Sequence, residues 1–160
     1  TFFMLGENAV ARPADAKLVA DAGFSIGAHT MTHQDLLSVP PRVAEAEIAA
    51  SIMAIDGVVG EGRTRCLRAP YGSFDDNTLR LAAKYGVGMV NWGIDSLDWK
   101  SRSADSIVQI TTVPGQRQLI LLHDGGGHRS ATVAALPRII AHYKAQGARF
   151  ISLCDPVGVG

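Results

Sequence analysis

A unit of three parts recurs along this chain: an amphipathic helix, a glycine able to end it in the left-handed conformation, and a short apolar strand. Residues 14–22, Gly23 and residues 24–28 make the first such unit. Residues 76–85, Gly86 and 88–92 make another, and residues 133–146, Gly147 and 149–153 make the last. In the last helix Val133, Leu136, Ile140 and Tyr143 are expected on one face. A longer helix at 41–56 would turn Ala44, Ile48, Ile52 and Ile55 inward, with Pro41 in its first turn. A polar loop at 57–65 leads into a strand at 66–68, and a helix at 104–112 precedes a strand at 118–122. With the opening run Thr1–Gly6, six strands alternate with helices. The strands are nearly continuous apolar runs, as parallel strands covered on both faces require. Such a pattern suits a barrel or a doubly wound sheet.

Polar residues favour the barrel. His29, Arg68, Asp95 and His123 each stand at or just beyond the C-terminal end of a different predicted strand. Barrel enzymes assemble their sites on that face. A length of 160 residues fits one domain, and 47% hydrophobic against 19% charged residues gives it a core to bury. A formal net charge of zero argues against general affinity for nucleic acid or an anionic membrane. No apolar run approaches the ~20 residues that span a bilayer. Cys66 and Cys154 fit no paired-cysteine metal pattern and read most simply as buried thiols at strand ends, with a disulfide between them as the alternative.

Four clusters carry candidate chemistry. In His29-Thr30-Met31-Thr32-His33, two imidazoles four apart would project from one side of a helical turn. Both could then reach one cation at about 2.0–2.1 Å. Thr30 occupies the place where metalloproteases with this spacing carry a glutamate base, so a base must come from elsewhere. Two loop histidines without a metal are the plain alternative. Arg68-Ala69-Pro70-Tyr71-Gly72 makes a rigid corner that could aim a backbone N–H at a reacting oxygen, or an ordinary strand exit with a surface arginine. Asp95-Ser96-Leu97-Asp98-Trp99 sets two carboxylates beside an aromatic. Otherwise it is a solvated acidic loop with Trp99 packed on the core. Leu121-Leu122-His123-Asp124 runs an apolar strand into an imidazole, which alone would read as a satisfied core histidine. Gly125-Gly126-Gly127 lacks the following Lys-Ser/Thr of a phosphate loop and reads as a rim loop.

Taken together and in this order, HTMTH, RAPYG, DSLDW and LLH resemble the polysaccharide deacetylases, the NodB-homology or carbohydrate esterase 4 family. The resemblance extends over nearly the whole chain. It implies an α/β fold, a distorted (β/α) barrel, and metal-dependent removal of acetyl groups from sugars, with an acetylated carbohydrate as partner. It implies His29 and His33 as metal ligands, for zinc or sometimes cobalt. Arg68 would hold the catalytic base, and the Tyr71 backbone N–H would stabilise the oxyanion. Asp98 would pair with His123 as general acid, keeping the imidazole protonated near neutrality, with Trp99 beside them and Leu121 lining the acetyl-methyl pocket. An extracellular or cell-envelope location also follows from the resemblance alone.

The family's first motif, Thr-Phe-Asp-Asp, supplies the base and the third metal ligand, and it has no counterpart in its expected place. The reading is therefore of a single domain over residues 1–160 that lacks its first strand. Ser73-Phe74-Asp75-Asp76 looks similar but follows the RAPYG corner and should open a helix, with Ser73 as N-cap and Asp76 at N3. Ala69 and Gln34 stand where prolines are usual. Weak metal binding and little turnover are expected of such a chain. A catalytically silent carbohydrate-binding domain and an amidase of the same fold acting on small cyclic amides are the competing readings. Retention of both histidines disfavours the amidase. Rim loops, which the sequence does not read, set the polymer.

Overall fold

Four short strands line up in chain order and all run parallel: β1 Phe2–Met4, β2 Ile26–Ala28, β3 Thr64–Leu67 and β4 Gly88–Met89. This is seen in a computed structural model that describes residues 1–115 and 118–154. The chain divides into two compact units, Thr1–Asn91 with the segment from Ser152, and Trp92–Ile151.

In the first unit β2 lies between β1 and β3 and is buried throughout. A Cβ at Gly27 would come within 2.6 Å of the Phe3 ring and 2.8 Å of the Cys66 sulfur, so only glycine lets the three strands meet there. Helix α3, Pro41–Val59, covers the core with Ala44, Ile48, Ser51 and Ile55 buried against Ile26, Ala28 and Leu67. Ser51 lies where Ile52 was expected, and its hydroxyl donates to the Ile48 carbonyl at 2.8 Å; Ile52 is half-buried at the margin. Helices α2, Pro13–Asp21, and α4, Asp76–Lys84, match their expected spans to within one residue. Helix α1, Gly6–Ala11, was not foreseen: six residues starting at a glycine carry little periodicity.

Cys66 and Cys154 form a disulfide rather than standing as buried thiols. The two lie 88 residues apart in sequence, so only the fold brings them together.

The second unit contains β5 Ile94–Asp95 paired in parallel with β6 Ile120–Leu121, and helices α5 Ala104–Thr111 and α6 Ser130–Ala145. Ile107, Ala135, Ile139 and Tyr143 form its core, and the Tyr143 hydroxyl donates to the Thr111 carbonyl at 2.6 Å. The buried face of α6 keeps the expected Tyr143 but is otherwise shifted by one residue. Val133 and Leu136 are exposed, while Thr132, Ala135 and Ile139 point inward. Two strand expectations also fail. The strand expected at 88–92 ends at Met89 as β4, with β5 at Ile94–Asp95 unforeseen, and the described residues 149–154 form no strand. Apolar content alone made residues 149–153 strand-like. A strand also needs a backbone ladder, and there the Leu153 N–H donates to a side chain, the Thr1 hydroxyl, at 3.2 Å.

Candidate active site

The first unit presents His29, His33, Arg68 and Tyr71 just past the strand ends. His29 follows β2 directly, and its backbone N–H donates to Met4 O at 2.8 Å. Arg68 follows β3, its N–H donating to Ala28 O at 2.9 Å. The ladder therefore continues one residue beyond each strand and fixes both side chains. His29 Nδ1 donates to the Arg68 carbonyl at 2.6 Å. This bond sets the tautomer of the neutral ring, with the lone pair on Nε2, the arrangement in which a histidine ligates a metal. His29 is buried, and its ring centroid lies 4.9 Å from that of His33 at an interplanar angle of 75°.

The route between the two histidines is not the helical turn that their spacing suggested. Residues 29–33 are irregular, and Thr30 and His33 both have φ 66°. The loop is held from outside. Gly6 and Glu7 at the start of α1 donate to the Thr30 and Met31 carbonyls at 3.0 and 3.1 Å. The Glu47 carboxylate on α3 accepts from the Thr32 N–H at 2.8 Å and its hydroxyl at 2.7 Å. These bonds replace the intrahelical ones and bring the rings together by a left-handed path.

Arg68 is partly buried with its guanidinium 4.9 Å from the Phe3 ring centre, so the plain surface-arginine alternative does not hold. The RAPYG corner is a 3₁₀ turn, Pro70–Gly72, in which Tyr71 adopts φ 60°. The Tyr71 ring meets His33 edge to face at 4.9 Å between centroids.

The second unit holds Asp98, Trp99, Leu121 and His123. The Asp98 side chain is fully buried at the end of a loop that opens at β5, where Asp95 Oδ1 accepts from the Leu97 N–H at 2.8 Å. One Asp98 oxygen accepts from His123 Nδ1 at 2.7 Å. The other accepts from the His123 N–H at 2.8 Å and the Thr132 hydroxyl at 2.9 Å. Burial pushes the Asp98 carboxyl up. The bonds from the His123 ring, the His123 backbone and Thr132, with the charge of His123, outweigh it and hold the group below its ordinary value. Arg129 Nη1 donates to the Asp98 carbonyl at 3.1 Å, fixing the loop from behind. Leu121 is buried on β6. Trp99 is half exposed, with its indole N–H 3.4 Å from Asp95, so it is not the core-packed residue of the plain alternative.

Glu47, Arg129 and Thr132 support the site without having stood out in the sequence. Each sits on or beside a helix whose pattern gives no reason to single out one polar residue. A further common feature ties the motifs together. Among the described residues, the non-glycine positions with positive φ are Thr30, His33, Tyr71 and Leu97. All four fall inside HTMTH, RAPYG or DSLDW. Such backbone costs of order 1–3 kcal/mol per residue and collects where a site demands it.

His29 and His33 fit two places in the coordination of a divalent ion, by their mutual approach and the fixed tautomer of His29. Among the described residues, no third His, Cys, Asp or Glu completes a metal-holding group with them.

Comparison with known proteins agrees with this architecture. The family model for polysaccharide deacetylases matches residues 1–90. A peptidoglycan-N-acetylglucosamine deacetylase of Bacillus cereus is 37% identical over 157 residues, covering 96% of this chain and 56% of that protein. A chitooligosaccharide deacetylase of Sinorhizobium fredii is 35% identical, covering 88% and 70% respectively. The solved family 4 carbohydrate esterase from Streptomyces lividans, in complex with acetate, superposes with a TM-score of 0.82 at 34% identity, covering 91% of this chain and 73% of that one. The parallel α/β architecture and these neighbours define a class, the (β/α)-barrel carbohydrate deacetylases. The chain belongs to the polysaccharide deacetylase family.

Proposed function

We propose that this chain serves the hydrolytic removal of N- or O-linked acetyl groups from a carbohydrate polymer such as peptidoglycan, chitin or xylan. The observation that carries the reading is the Asp98–His123 pair: a buried carboxylate that grips both the ring and the backbone of one histidine. An imidazole held this rigidly suits proton donation to the leaving amine or alcohol, a step whose positioning contributes ~10²–10⁴-fold. Asp98 fixes the ring so that Nδ1 carries the proton it donates to the carboxylate, and Nε2 faces the substrate with the transferable one. Within the first unit, Tyr71 would offer its backbone N–H to a developing oxyanion and Arg68 would hold a base like that of the family's first motif; within the second, Leu121 and Trp99 would serve the acyl and sugar sides of the acid pair.

His29 and His33 would hold a divalent ion, zinc or alternatively cobalt. When bound, that ion supplies polarisation of the acetyl carbonyl and an acidified water. With two imidazoles as the side-chain ligands, the 160-residue chain is expected to bind zinc weakly and turn over slowly. The disulfide supports an extracellular or cell-envelope setting, since such bonds persist in oxidising compartments.

The test is zinc titration of this chain with acetate release from chitin oligomers and acetylated xylan measured alongside. Weak zinc binding that disappears in His29→Ala, and slow zinc-dependent release that disappears in His123→Ala, are the expected results. Release that is unchanged in His123→Ala would overturn the assignment of the acid. Fast release by this chain would overturn the assignment of weak metal binding.

A further inference from the structure

A hollow of about 120 Å³ in the second unit lies next to Asp98 and is lined by Trp99, Lys100, Arg102, His128 and Arg129 together with the glycine loop before them. We propose that it receives a carboxylate carried by the glycan, so that this protein selects acidic over neutral chains. The inference rests on the carbohydrate reading above and adds the charge class of the substrate.

Size permits a substituent: the hollow is roomy enough to admit a small group carried by a bound glycan. Charge argues for an anion. Three cationic side chains line the hollow, and the one acid among the lining residues, Asp98, is already engaged by His123 and Thr132. Neither Asp95 nor Asp124 lines it. Lys100 and Arg102 form no ion pair among the described residues. The Lys100 ammonium stands 5.3 Å from the Trp99 ring centre, so the cation sits beside an exposed aromatic face on which a sugar can lie.

Arg129 has a different part. Its guanidinium donates to the Gly125, Gly126 and Asp98 carbonyls at 2.7, 3.3 and 3.1 Å, which wraps the glycine loop around a fixed positive charge. The wall of the hollow is therefore built before any ligand arrives, and the same arginine ties it to the loop that carries Asp98. A carboxylate seated there would place its glycan next to the acid pair.

The experiment measures binding by calorimetry, which does not depend on turnover and so separates failure of this inference from failure of the deacetylase reading. Three ligands of equal length are compared: a chitin oligomer, the same oligomer bearing a 3-O-lactyl carboxylate, and its lactyl methyl ester. The carboxylate form is expected to bind about five- to tenfold more tightly than the other two at low salt, the combined effect of two exposed cations. That margin should vanish in Lys100→Gln/Arg102→Gln and shrink at high ionic strength. Circular dichroism of the double variant reports its fold. Because the methyl ester keeps the shape and loses the charge, equal affinity of acid and ester for the unaltered protein overturns the proposal without any variant. No measurable binding of any ligand, or a preference retained by the folded double variant, overturns it as well.

Discussion

At the scale of single residues, the polar network of the second unit centres on Asp98. A carboxylate with no side-chain exposure is tolerable only because three donors meet its two oxygens. Its folded-state pKa lies below the ordinary value of 3.8, so between the two values the unfolded chain binds more protons than the folded one. Stability therefore rises with pH through that window. The contribution is fully present above about pH 4 and is lost as pH falls through the folded pKa. Asp98→Asn removes the charge-assisted part of the network and should cost about 1–3 kcal/mol near neutrality. Melting temperatures of both proteins between pH 2.5 and 7 should show that gap narrowing in acid. A gap that stays constant would mean that the Asp98 charge contributes nothing to the fold.

Elements show where periodicity and capping succeed and where they need the tertiary context. Helix α4 has the expected extent, but its N-cap is Asp75, not Ser73. The Asp75 carboxylate accepts from the Thr78 N–H at 2.8 Å, and Thr78 returns its hydroxyl to form a capping box. Ser73 is left in extended backbone after the 3₁₀ turn. Both residues are good caps in isolation, and the length of the RAPYG turn chooses between them. Asp75→Ala should therefore cost ~1 kcal/mol, while Ser73→Ala should be near neutral. Urea unfolding of the two variants decides. Helix α6 teaches a similar point: its real buried face uses Thr132, which serves Asp98, in place of the more apolar Val133.

For the molecule as a whole, the Cys66–Cys154 bond closes a span of 88 residues. Chain-entropy reasoning assigns such a closure a stabilisation of about 4–5 kcal/mol, with measured native bridges at ~2–5. Cys154→Ser should lower the unfolding free energy by an amount within that range. The reductant should destabilise the unaltered protein to the same degree and leave the variant unchanged. Equal stability of oxidised and reduced protein would show that the bridge is incidental to the fold.

Much of this protein was readable from residue order alone. The helices other than α1, the existence of parallel strands near residues 24–28 and 66–68, and the placing of His29, Arg68, Asp95 and His123 near strand ends all follow from local pattern. Local pattern suffices there because burial imposes its period on the sequence directly. Other features needed the tertiary structure. No property of Thr, His, Tyr or Leu announces positive φ, yet Thr30, His33, Tyr71 and Leu97 adopt it where neighbouring elements hold the loops. The spacing of two histidines fitted a helical turn until Glu47 and the start of α1 supplied other hydrogen-bond partners. The cysteines paired because two distant segments meet. Each of these outcomes is decided by groups remote in sequence, where the free energy of a contact depends on what else the fold brings to it.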